Sequence, residues 1–273
     1  MAGKIAFALM AVMALGACGG SVGVSGGTGT TSGPAADPPL QPVQVSLFSP
    51  SPRWTITDGG TSGSVIATRI SDGQEFPLSM ASLAVNVANF EAYSNAAPIN
   101  AVLGVTPSGE GRSFVIWNFQ ARQSDAVHER LSETTVPASG SASFNGSYMA
   151  LWWNTADVTL AAHLLGSVAL SADFDAQRIA GIISSRRNTG SEIFRDVVLE
   201  PTDIVDGAFA GSATGGELEG GAQTTSGRYE GLLVGLNSPE AVGTVVIVHG
   251  NASPSRAEYG SFVARDPAAP ALP

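Results

Sequence analysis

Val168-Ala169-Leu170-Ser171-Ala172-Asp173-Phe174-Asp175-Ala176-Gln177-Arg178-Ile179-Ala180-Gly181 carries two strands and the turn between them. Val168, Leu170, Ala172 and Phe174 fall on one face, while Ala169, Ser171 and Asp173 fall on the other. That period of two belongs to a strand covered on one side only. Asp175-Ala176 is short enough to make a tight hairpin, so Arg178 begins an antiparallel return.

Outward from this hairpin the same pattern recurs at close spacing. Strands are predicted at Ser141–Ala150, Leu165–Phe174, Arg178–Ser185, Phe194–Leu199, Gly207–Ala213, Gly227–Leu236, Ala241–His249 and Gly260–Arg265. Gly181, Gly211, Gly231 and Gly243 lie inside them, where strongly bent strands need a residue without a side chain. Eight strands in sequence can close as an up-and-down barrel, which removes exposed edges. Periodicity alone leaves barrel and sandwich both open.

Signals are weaker over residues 43–137. Val65–Ile70, Leu83–Val87, Ile99–Val105 and Phe114–Phe119 read as strands, with turns at Asp58-Gly59-Gly60, Asp72-Gly73 and Ser108-Gly109. Ser124–Ser132 fits neither strict alternation nor a full amphipathic helix, and one or two helical turns are expected there. No topology follows for this region.

The amino terminus is of another kind. Lys4 gives a short positive start, Ile5–Leu15 is apolar but too short to span a bilayer, and Leu15-Gly16-Ala17-Cys18 follows. The tetrapeptide resembles a bacterial lipobox, which implies cleavage before Cys18 and lipid on that residue. Several acyl chains on one residue would anchor firmly, at about 0.8 kcal/mol per buried methylene. Residues 18–42 are rich in glycine and serine, then proline, and read as a tether. The organisation expected is a signal at 1–17, the tether at 18–42, a small β-rich region at 43–137, the barrel at 138–267 and a tail at 268–273.

Removing the first 17 of 273 residues leaves 256, enough for one or two cored domains. The full chain has a formal charge of −10, and its one lysine, Lys4, leaves with the signal. That balance argues against nucleic acid as a partner. Cys18 is the sole cysteine, so an internal disulfide is excluded and apolar burial must hold the core. Ser171, Asp173, Ser184 and Glu230 on the outward faces argue against strands embedded in lipid.

Five short motifs carry a resemblance that favours the barrel. Phe144-Asn145-Gly146-Ser147-Tyr148 is an aromatic-x-Gly-x-aromatic strand, and Val168–Gly181 is a hairpin with an acidic-Phe-Asp turn. Phe209-Ala210-Gly211-Ser212-Ala213, then Gly227-Arg228-Tyr229-Glu230-Gly231 with Asn237–Gly243, and finally Tyr259-Gly260-Ser261-Phe262 complete the series. In order and spacing these resemble the β-barrel domain of the transferrin-binding protein B lipoproteins. The chain departs from that family at Leu232, Leu233 and Leu236, where aromatics and a Gly-Pro turn are common, and it offers one barrel where the receptor has two lobes. The resemblance implies an all-β protein: a C-terminal eight-stranded antiparallel β-barrel preceded by a small, mostly-β, handle-like region. It also implies lipid-anchored display at the bacterial outer membrane, on the surface or the periplasmic face. A protein ligand such as a host iron carrier, or haem as cargo, would be bound and passed to an outer-membrane transporter. The alternative is a structural or protective envelope lipoprotein with no iron-related ligand.

The residues add few chemical candidates. His128, His163 and His249 do not stand at metal-ligand spacing from one another. The resemblance extends to haem-binding relatives, for which His163 or His249 would be the axial ligand. Trp152-Trp153 follows the first barrel strand and could form an aromatic platform at a rim, or pack one ring against the neighbouring region. Arg186-Arg187, with Arg178 and Arg195 nearby, concentrates positive charge and could contact acidic ligands, though a solvated hairpin tip is the favoured expectation. The sequence shows no Gly-x-Ser-x-Gly elbow, His-Glu-x-x-His or Ser-x-x-Lys motif. The expectation is therefore a binding protein rather than an enzyme, monomeric and without a resident cofactor.

Overall fold

The alternation seen at Val168–Phe174 is the rule for this molecule, which has no helix among its described residues. The computed structural model describes residues 39–47, 52–81, 87–94, 99–118, 120, 123–154, 161–190, 192–216, 224–250 and 256–271. Cys18 and most of the tether fall outside them. Two antiparallel sheets build the described part, and both belong to one unit.

The first sheet comprises β1 (Val43–Ser46), β2 (Trp54–Asp58), β3 (Ser64–Arg69), β4 (Glu75–Met80), β5 (Phe90–Ser94), β6 (Ile99–Val105), β7 (Gly111–Asn118) and β8 (Gln123–Arg130). Its order is β1-β8-β7-β6-β5-β4-β3-β2, a meander with β1 added beyond β8. The sheet curls around Trp54, Ile56, Phe114 and Ile116, all buried. Asp125 of β8 holds the curl by accepting the Ser46 hydroxyl at 2.5 Å and the Arg53 backbone N–H at 2.6 Å. The entrance to β2 is thereby fixed beside β8.

The helical turns expected at Ser124–Ser132 are strand β8 instead. The reason is burial on both faces: Asp125 through Arg130 are all buried, so charged residues sit where alternation would place apolar ones. Val127 packs inside the curl and Ala126 packs against the second sheet. The strand expected at Leu83–Val87 lies largely outside the described residues, and Val87 itself precedes a turn.

The second sheet contains β9 (Ser141–Asn154), β10 (Ala161–Asp173), β11 (Arg178–Asn188), β12 (Ile193–Phe194), β13 (Val197–Val205), β14 (Ala208–Gly215), β15 (Thr224–Val234), β16 (Glu240–Gly250) and β17 (Arg256–Arg265). Each long strand pairs with its neighbours in sequence, and β9 pairs with β17 from Asn145↔Arg265 to Asn154↔Arg256. That last ladder closes an eight-stranded up-and-down barrel, with the two-residue β12 as an appendage on β11. Closure leaves no unpaired edge among the eight long strands. The sandwich is excluded.

Phe144, Leu170, Phe174, Ile179 and Phe209 fill the cylinder's interior with other apolar side chains. Rings lie flat over glycines of adjoining strands. A Cβ at Gly260 would stand 2.1 Å from the Tyr148 hydroxyl, and one at Gly243 would stand 2.2 Å from the tip of Phe262. Glycine is therefore required at both positions by close approach rather than by turn geometry.

The barrel wall packs against the first sheet through an apolar layer that includes Val115, Met149, Leu151, Val246 and Val263. Trp153 stacks between Trp117 at 4.5 Å and Tyr259 at 4.3 Å. Such ring pairs contribute about 0.5–1.5 kcal/mol each beyond area burial. The Ser113 and Ser261 hydroxyls meet at 2.5 Å, and His128 Nδ1 lies 3.3 Å from the Thr244 hydroxyl. Burial pushes the His128 pKa down to about 3, so its ring is neutral near pH 7. At the margin, buried Glu240 accepts the Ser108 backbone N–H at 3.1 Å and the Arg265 guanidinium at 2.8 Å, joining a turn of the first sheet to β17.

Candidate functional site

One end of the barrel holds a buried cluster of charges, built by a break in strand alternation. Ile179 and Ile183 of β11 face the interior, so strict alternation would point Ser185 inward and Arg186 outward. Ser185 instead adopts a left-handed conformation, φ 54°, where the β10–β11 register shifts between Leu165 and Ser167. This bulge turns Arg186 into the barrel, where it is wholly buried. Gly166 gives it room, since a Cβ there would lie 3.2 Å from the Arg186 stem. The solvated tip expected for Arg186-Arg187 is therefore corrected: Arg187 is exposed, but Arg186 is an interior residue.

Glu258 of β17 balances that charge. One Arg186 Nη donates to Glu258, and the other donates to the backbone carbonyls of Arg195 at 2.6 Å and Gly216 at 3.0 Å. The Tyr148 hydroxyl donates to the second Glu258 oxygen at 2.6 Å. His249 Nε2 faces, at 3.4 Å, the Glu258 oxygen that Arg186 engages, a longer contact than the other two. Burial alone would raise the Glu258 pKa, but the Arg186 charge and neighbouring donors outweigh it and hold the carboxyl at about 2. Burial and the Glu258 charge push the Tyr148 phenol well above its ordinary value, so it stays a neutral donor.

Aromatic rings border this cluster. The Arg186 guanidinium lies 5.5 Å from the Phe194 ring centre, Phe194 meets Trp152 edge-on at 5.4 Å, and Arg256 lies 4.8 Å from the Trp152 ring. Glu258 stands directly opposite Trp152 in the β9–β17 ladder, and Arg256 stands opposite His249 in the β16–β17 ladder. Four strands and the short β12 thus converge on one patch.

The residues singled out from the sequence are divided by the barrel wall. Trp152 and His249 belong to the interior cluster. His163 is opposite Leu151 in register, which places it on the outer face, half-buried, with Nε2 unpartnered and its pKa lowered by burial. Trp153 is also outward-facing and closed within the layer between the sheets, while Trp152 is half-buried inside, so the pair follows the packing alternative rather than a two-ring rim platform. Sequence reasoning missed Tyr148, Arg186 and Glu258 as a set. Glu258 had a usable signal: extending the last strand back from Gly260 puts Glu258, Gly260, Phe262 and Ala264 on one face.

The arrangement offers fixed charge and oriented donors, with Glu258 already engaged by Arg186 and Tyr148. Among the described residues, no three His, Cys, Asp or Glu side chains gather as a metal-binding group. A separate cleft of about 400 Å³ opens on the first sheet beside Asp58, Glu91, Tyr93 and Arg112. There the Tyr93 hydroxyl donates to Glu91 and Arg112 pairs with Glu129, so these groups have partners within the protein.

The chain is similar to transferrin binding protein B. A structure of that protein from Haemophilus parasuis Hp5 shares 15% identity at a TM-score of 0.48, covering 82% of this chain and 44% of the other. The isotype 1 protein from serogroup B Neisseria meningitidis shares 14% at a TM-score of 0.47, covering 87% of this chain and 45% of the other. The intact Ap protein with N and C lobes shares 14% at 0.45, covering 82% and 45%. This chain therefore spans less than half the length of these structures. No family model and no curated protein matches it.

Proposed function

We propose that this chain is a lipid-anchored protein of the bacterial outer membrane that works by binding a ligand, without catalysis, at the charged end of its barrel. The supporting observation is the Arg186–Glu258–Tyr148 network bordered by Trp152, Phe194 and Arg256. Cys18 and the segment that follows supply the anchor and tether in this reading, and residues 43–137 act as the handle beside the barrel. The ligand is a protein, such as the transferrin that the similar structures are named for, or haem. An outer-membrane transporter would receive the cargo.

Calorimetry on the soluble Cys18→Ser chain, with haem and with iron-loaded transferrin, tests this reading. Saturable heat with one of them, weakened at least tenfold by Trp152→Ala, is expected. Heat from neither, together with an envelope-integrity defect in a deletion strain, would replace this reading with the structural alternative.

A further inference from the structure

Two buried polar atoms at the charged end make no hydrogen bond in the protein, Arg186 Nε and the Trp152 indole nitrogen, and His249 Nε2 beside them has only its long contact to Glu258. Arg186 is fully buried and His249 is 1% exposed. Leaving such groups unpaired costs free energy comparable to a lost hydrogen bond, and few are tolerated in a folded protein. Here both lie within one continuous set of contacts, running from His249 through Glu258 and Arg186 to Phe194 and Trp152.

Arg186 and Arg256 are set against Glu258 in this patch, with Asp196 also acting on Arg186. Ser185 holds a left-handed backbone at the bulge that turns Arg186 inward. An apolar side chain at position 186 would have needed neither the bulge nor a buried counter-ion. Arg186 Nε and the indole nitrogen are obligatory donors, and what they lack is an acceptor oxygen. His249 Nε2, in its Nε2–H form, is a third donor that an incoming oxygen could draw from its long contact with Glu258.

We infer that the charged end of the barrel is a binding site for an oxyanion group, a carboxylate or a phosphate, received by Arg186 Nε–H, the Trp152 indole N–H and His249. This names a ligand chemistry for the site proposed above and rests on that reading for its biological use, though the donor set stands without it.

The test is proton–nitrogen NMR on the soluble Cys18→Ser chain, titrated with inorganic phosphate and separately with benzoate at constant ionic strength. Both the Arg186 Nε–H and the Trp152 indole resonances should shift saturably with one dissociation constant. Trp152→Phe and His249→Gln, which leave the Arg186–Glu258 pair in place, should each weaken binding at least tenfold. The double variant Arg186→Met/Glu258→Leu removes the pair together and should abolish binding. Saturation by phosphate alone or by benzoate alone assigns the class. Shifts that never saturate, or that persist unchanged in Trp152→Phe and His249→Gln, overturn the site and leave water as the only partner of these donors. A saturable shift beside negative calorimetry with haem and transferrin keeps the site and removes those ligands.

Discussion

The interior of the barrel is chemically opposite at its two ends, although the same eight strands pass through both. At one end the chain turns tightly. Asp206 and Gly207 both have positive φ, 51° and 69°, in the two-residue connection between Val205 and Ala208, and apolar Phe174, Ile179, Ile204 and Phe209 fill the interior. Both residues fit the turn type that matches strand twist. At the other end Arg186, Glu258, Tyr148 and His249 are buried together. An apolar end needs only volume and turn chemistry. A charged end needs every partner in place, because a buried ion without its counter-ion is among the most costly defects a core can hold. The contrast teaches that the apolar end secures the fold, while the charged end is tolerated by it.

The largest effect should come from breaking the charged end on one side. Glu258→Leu leaves Arg186 buried and unpaired, and denaturant unfolding should show a loss of about 3–5 kcal/mol. Arg186→Met/Glu258→Leu should restore most of that loss while abolishing oxyanion binding. A double variant as unstable as the single one would mean that the charge pair is itself structural, and the contrast would fail. Phe209→Ala at the apolar end should cost about 3–5 kcal/mol with oxyanion affinity kept.

Acid separates the barrel from the layer between the sheets. His128 is held at about 3, against 6.5 ordinarily, so from about pH 6.5 down to 3 the unfolded chain takes up a proton that the folded one refuses. Stability should fall over that window by up to tenfold in the folding equilibrium per pH unit. Glu258 is held at about 2, against 4.5 ordinarily, and adds a second loss from about pH 4.5 down to 2. Urea unfolding of His128→Gln should therefore show a weaker pH dependence above about pH 4.5, leaving the part that buried His163 contributes, and keep it below. The smallest effect should be Gly207→Ala, about 1 kcal/mol by thermal unfolding, because alanine must then hold a positive φ.

Much of this was legible in the chain, and what was not has physical reasons. Val168, Leu170, Ala172 and Phe174 could be placed on one face because alternation works where one face is apolar and the other meets water. β8 defeated that reasoning because its charged residues are covered on both faces, by the curl and by the barrel. Arg186 defeated it because a single left-handed residue at Ser185 inverts the phase, and serine announces no such conformation. The position of β1 beyond β8 is also silent in the sequence, since it depends on Asp125 reaching both Ser46 and Arg53.

The ladder between β9 and β17 makes the final strand the keystone of the cylinder. Asn145 waits for Arg265 and Asn154 for Arg256, so seven strands can assemble while the eighth position stays open. Until β17 arrives, β9 and β16 each present a raw hydrogen-bonding edge, and the Arg186 guanidinium has no carboxylate to meet. Sealing the wall and neutralising its buried cation are therefore tied to the same strand, and a chain cut short before Arg256 would be left both open and electrostatically unbalanced.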